Sequence, residues 1–155
     1  MIIYQEQQKT YFILILVFII VAFMVLALLF FPSFFGLYSL SNIGQFLLGL
    51  IAIMDLVFFW CFRKLTILAD DVSLSFGFGF MKKKFSWNNL KSAQAEDFDL
   101  KNYLGYGIRF GRDKSMAFAA QGGRGVRLKA IGKDYFFSSA NAEKLVSLIN
   151  EKIKS

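Results

Sequence analysis

The run YFILILVFIIVAFMVLALLFF, Tyr11 to Phe31, holds twenty-one residues without a charge, a glycine or a proline. As a helix rising about 1.5 Å per residue it reaches roughly 30 Å, the hydrocarbon thickness of a bilayer. A helix this long and apolar on every face does not fit the core of a small domain. A second stretch, IGQFLLGLIAIMDLVFFWCF from Ile43 to Phe62, is nearly as apolar but carries Gln45 and Asp55. The two runs read as transmembrane helices over 11–31 and 43–62. A cleaved leader suits the first less well. Its apolar run exceeds the usual length of about 7–15 residues, Lys9 is its one upstream base, and no A-x-A pattern follows.

The connector PSFFGLYSLSN, Pro32 to Asn42, is short and uncharged, and Pro32 and Gly36 suit a tight reversal into a helical hairpin. Charge falls unevenly around it. Residues 1–62 hold one lysine and two acids, while 63–155 hold seventeen Lys/Arg and nine acids, a net +8. By the positive-inside rule both termini are expected on the cytoplasmic side of a multi-pass protein of the cell membrane. The basic part then faces an anionic leaflet or is an ordinary solvated surface, and both readings stay open. The chain has no histidine and one cysteine, Cys61, which excludes a His-based triad, a His metal cluster and an intrachain disulfide. Cys61 reads as a packing residue, with palmitoylation as the alternative.

After Phe62 the periodicity becomes alternating, the mark of half-buried strands. KLTILA (64–69), VSLSFGF (72–78) and KKFSW (83–87) read as strands. WNNLKSAQAED (87–97) reads as a turn with a fourth, and DFDLKNYLG as a polar loop. GIRFG (107–111), SMAFAAQ (115–121), GVRLKAI (125–131) and DYFFSS (134–139) follow, separated by GRDK, GGRG and GK, which suit hairpin turns. ANAEKLVSLINEKI closes the chain as an amphipathic helix with an apolar stripe of Leu145, Val146, Leu148, Ile149 and Ile153 and Ser139 as candidate N-cap. The expected organisation is a short N-terminus (1–10), a two-helix transmembrane hairpin (11–62) and a mainly-β domain (63–155). The last is a barrel or sandwich of pleckstrin-homology-like plan with a C-terminal capping helix.

Several motifs extend that likeness. Glu6-Gln7 in YQEQQKTYF, KLTILADDVSLSF, KKKFSWNNLKS, and the block GYGIRFG followed by GGRGVRLKAIGKDYFF and SSANAEKL resemble prokaryotic membrane proteins in which a two-helix hairpin precedes a bacterial pleckstrin-homology-like domain. The resemblance covers nearly the whole chain. Tyr106 and FFSS depart from the commoner pattern. The resemblance implies a fold and a location rather than a reaction.

Each functional signal in the chain also has a plainer reading. SFGFGFMKKK nearly matches the RNA-recognition octapeptide, but its basic first and aromatic eighth positions are Phe76 and Lys83 here, and nucleic acid is not expected. Gly77 and Gly79 lack the third glycine of a dinucleotide loop. Gly132-Lys133 has Arg127 and Asp134 where a phosphate loop needs Gly and Ser or Thr. QGGRG (121–125) reads as a glycine turn, with a phosphate nest beside Arg124 as the sharper alternative. Lys82, Lys83 and Lys84 are candidates for contact with anionic lipid, together with Arg63, Lys64 and Arg124.

Asp55 is the outlier, since a carboxylate inside a bilayer is costly. Snorkelling, assembly through Asp55, and ion or proton transport within an oligomer stay open for it. Arg109 reads as a surface residue, or as an anchor for Asp97 or Asp99. No spacing among the eleven acids suggests catalysis, and no cofactor or metal is expected. The function expected is that of a membrane-held binding or scaffold protein for lipid, a protein partner or its own copies. The alternative is a small transporter or channel subunit that works through Asp55.

Overall fold

A computed structural model describes residues 1–10, 12–30 and 42–154. The chain divides into two compact units, Met1–Thr10 with Lys64–Ser155, and Tyr11–Arg63. The first ten residues are therefore not a loose N-terminus. They form strand β1 (Ile2–Lys9), which pairs antiparallel with β2 (Lys64–Asp70), so the second unit is an insertion between two neighbouring strands.

In the β-rich unit, β1, β2, β3 (Ser73–Phe78) and β4 (Met81–Ser86) form one antiparallel sheet in chain order. A 3-10 turn, Trp87–Asn89, then carries the chain to a second sheet. That sheet has the order β5 (Leu90–Asp97), β8 (Arg124–Ala130), β9 (Asp134–Ser138), β7 (Met116–Ala119), β6 (Gly107–Phe110). GRDK and GK do make hairpins, β6–β7 and β8–β9. GGRG does not, because β7 pairs in parallel with β9 and β8 lies between β5 and β9.

Alternation explains the core. Leu65, Ile67 and Ala69 of β2 and Leu74, Phe76 and Phe78 of β3 are all buried on one face. Phe118, Val126, Leu128 and Phe137 of the second sheet are buried too. The Phe76 ring stacks on Phe137 at 4.4 Å and meets Phe118 edge-on at 5.3 Å. Aromatic pairs of this kind contribute about 0.5–1.5 kcal/mol beyond the area they bury. Behind the second sheet, the segment read as a polar loop forms a helical turn, α3 (Leu100–Tyr103), capped by the Asp99 carboxylate. It lays the buried Tyr103 beside Phe98 and Phe136. Helix α4 (Ala142–Lys154) buries Leu145 and Ile149, and its Asn150 amide bonds both backbone groups of Ala93 on β5.

The inserted unit contains α1 (Phe12–Phe30) and α2 (Asn42–Phe62), which touch through Phe18 against Phe58 and Phe59 at 5.4 and 6.1 Å. The membrane expectation is corrected here. A span takes about 20 consecutive apolar residues. α2 is interrupted by the polar Gln45 and by Asp55. Among the described residues no helix is long and apolar enough to cross a membrane. The transmembrane hairpin, the multi-pass location and the orientation drawn from them are withdrawn. With them goes the composite fold expected, a membrane hairpin plus a pleckstrin-homology-like barrel. What is observed is a mainly-β fold of four- and five-stranded sheets with a C-terminal helix. The reversal expected over Pro32–Asn42 involves residues 31–41, outside the described ones.

Candidate anion-binding face

The two faces of the first sheet differ in chemistry. Opposite residues in an antiparallel pair share a face, so the register sorts the side chains. The inner face carries the core residues of β2 and β3, together with Tyr4, Glu6 and Gln8 from β1. The outer face carries Gln5, Gln7 and Lys9, then Lys64, Thr66 and Leu68, then Ser73, Ser75 and Gly77, then Lys82 and Lys84. Lys9 lies directly opposite Lys64, and Lys82 lies opposite Gly77, itself opposite Thr66. Like charges facing each other across a ladder destabilise it.

The acid on this face, Asp70, lies at the far end of β2. It spends its carboxylate on the Val72 and Ser73 amides and the Ser73 hydroxyl. The Val72 amide leads the interactions that hold this carboxyl below its usual value, against a smaller opposing effect of burial. The rows nearest Lys9 and Lys64 therefore present cations around uncharged Thr, Ser and Gly.

Gly77 is required at the centre of this face. Its φ is +150°, and a Cβ there would lie 2.2 Å from the Met81 carbonyl oxygen and 2.6 Å from the Lys82 Cα. Gly79 and Phe80 turn the chain, so the three lysines lie on strand β4 rather than in the turn itself. Phe80, at 75 % exposure, stands at the tip. Lys83 lies opposite Phe76 on the core-side face yet is exposed, because β4 is an edge. An inward-facing charge on an edge strand blocks pairing with another chain. Lys83 thus has a structural role of its own, which separates it from Lys82 and Lys84.

The other residues singled out from the sequence are scattered. Arg63 is exposed and ends the inserted unit. Arg124 is committed elsewhere, 2.7 Å from Glu143 and 3.8 Å from Asp97, which weakens the nest reading of QGGRG. Arg109 donates to the Tyr106 carbonyl at 3.1 Å instead of pairing with Asp97 or Asp99. Asp55 faces a hollow between α1 and α2 lined by Phe18, Ile19, Ala22 and Phe59, and its Oδ2 has no partner among the described residues. Lys9 joins the face although the sequence marked it merely as the base before the first apolar run. The signal that finds it is the period-two split of residues 4–9 into Tyr4-Glu6-Gln8 and Gln5-Gln7-Lys9.

No family model, no curated protein and no solved structure matches this chain. The resemblance drawn from the motifs therefore has no matched relative behind it.

Proposed function

We propose that the β-rich unit is a non-catalytic binding module whose outer sheet face docks on anionic lipid headgroups. The observation that carries this reading is the Lys9–Lys64 cross-strand pair with Lys82 on the same face, in rows that hold no carboxylate, while Lys84 lies one row from Asp70 and feels its charge. Folding alone gains nothing from placing these charges together, whereas a negative surface offsets their repulsion. Each lysine held near an anionic leaflet contributes about 1 kcal/mol. An open sheet face lets several lysines reach outward together, which suits a surface better than an enclosed ligand. Phe80 at the neighbouring turn adds an exposed apolar group beside the cations.

Lysine acetylation of the full chain, read by mass spectrometry, tests this position by position. Anionic vesicles should protect Lys9, Lys82 and Lys84 relative to neutral vesicles, and added salt should abolish the protection. Lys144, exposed on α4, serves as the reference. Equal labelling of the face with both kinds of vesicle would sink the reading.

A further inference from the structure

The opposite sheet has a second cationic feature, independent of the first. Three turns converge at one end of it: the start of β5, the β6–β7 turn and the β8–β9 turn. They contribute Lys91, Lys114 and Lys133 to one hollow, with Ser115, Asp113 and Asp134. Lys133 is steadied by its ammonium lying 4.6 Å from the Phe110 ring centre.

The two carboxylates do not cancel these lysines. Asp113 accepts the Ser115 amide at 3.0 Å and hydroxyl at 2.5 Å, and the Arg127 guanidinium at 2.9 Å. Asp134, opposite Lys129 in the β8–β9 register, is in no ion pair within 4.0 Å among the described residues, so three lysines share the hollow with one uncommitted carboxylate. Among the described residues Lys91, Lys114 and Lys133 are in no ion pair within 4.0 Å.

Lys114 also holds a backbone conformation that favours glycine, with φ at +66°. Lysine there carries strain that a glycine would remove, and strain retained at a polar hollow is a pointer to function. We infer that this hollow binds a phosphate group through Lys91, Lys114 and Lys133. The group belongs to a soluble phosphoester or to a lipid headgroup, and the chemistry is shared.

The substitution Lys114→Gly separates binding from folding, because it removes the charge and relieves the φ together. The full chain is titrated with inorganic pyrophosphate and, separately, with phosphatidic-acid vesicles against neutral ones, followed by amide NMR shifts at 111–115 and 131–134. Saturable pyrophosphate binding supports a soluble phosphoester, and shifts confined to the vesicle arm support a headgroup. Lys114→Gly should raise the melting temperature while weakening binding about fivefold, and Lys91→Gln should weaken it without raising the melting temperature. No saturable shift in either arm, or undiminished affinity in Lys114→Gly, overturns the site.

Discussion

The Glu6 carboxylate on β1 accepts the Ser139 hydroxyl at 2.7 Å, joining the first strand of the chain to the start of its last helix. The same carboxylate takes the Ala140 amide at 2.7 Å, the Gln8 side-chain amide at 2.6 Å and the Tyr4 hydroxyl at 2.5 Å. Gln8, buried, accepts in turn from the Ser138 hydroxyl at 2.7 Å, and that oxygen takes the Ala120 amide. β1 is thus fastened by a polar strip on its inner face as well as by its ladder to β2.

Removing Glu6 strands several of these donors at once. Hydrogen bonds to a charged group contribute about 1.5–3 kcal/mol each, and unpaired donors in a half-buried site add to the loss. Glu6→Ala should cost about 2–4 kcal/mol by urea unfolding, while Glu143→Gln, at an exposed ion pair, should cost under about 1 kcal/mol. Burial on its own raises the Glu6 carboxyl, and the donors from Tyr4, Gln8, Ala140 and Ser139 outweigh it and hold it below its usual value. A depressed folded-state value means stability that is present above the unfolded value of about 4.3 and lost as pH falls through the folded one. Glu6→Gln should therefore flatten the acid side of the stability profile below about pH 4.

At the alkaline end the partner group is Tyr4. Burial first, then the Glu6 hydrogen bond and charge, push its phenol up to about 12. A raised folded-state value gives stability that is complete below the unfolded value near 10 and lost as pH climbs through the folded one. Ultraviolet titration should show late phenolates, because burial raises Tyr103 as well, and the part that disappears in Tyr4→Phe and shifts earlier in Glu6→Gln is that of Tyr4. An unchanged late component in Tyr4→Phe would assign it elsewhere.

Asn150 does for β5 what a neighbouring strand would do. Its carbonyl accepts the Ala93 amide at 3.0 Å and its amide donates to the Ala93 carbonyl at 2.9 Å, just past the β5–β8 register shift between Leu90 and Ser92. Asn150→Leu keeps the bulk of the side chain and leaves both backbone groups of Ala93 unpaired. A loss of about 1–3 kcal/mol is expected, with faster hydrogen exchange at the Ala93 amide. Unaltered exchange there would show that α4 holds β5 by apolar packing alone.

The legible part of the fold was the part written in apolar alternation. Phe76 and Phe78 announce a buried face, and Leu145 with Ile149 the buried side of α4. β1 is hidden because its inner residues are Tyr4, Glu6 and Gln8. A polar strand zipped by hydrogen bonds leaves no hydrophobic period to read. The parallel β7–β9 pair is hidden for another reason, since strand order depends on which edge a strand reaches rather than on its own residues. Tyr103 escaped notice inside DFDLKNYLG because one aromatic among polar neighbours has no period. Of the candidate face, Lys82, Lys84 and Lys64 were visible as charges. Their company with Lys9 was not, because it is created by the β1–β2 pairing of residues more than fifty positions apart.

That pairing sets the last prediction. A fragment beginning at Lys64 looks like a complete domain by sequence, but it would leave β2 as an unpaired edge and Ser138, Ser139 and Ala140 without Gln8 and Glu6. Such an edge invites pairing between copies. Lys9 and Lys64 are cross-strand partners, so residues 1–10 can instead be joined to 64–154 through an Asn-Gly turn, which favours a tight antiparallel hairpin. The joined chain should unfold cooperatively in urea and remain monomeric in sedimentation, whereas 64–154 alone should aggregate or unfold several kcal/mol more readily. Adding a synthetic peptide of residues 1–10 in trans should partly restore the fragment, and Glu6→Ala in that peptide should weaken the rescue about tenfold. If 64–154 folds as stably as the joined chain, β1 is dispensable and the basic face must be redrawn without Lys9.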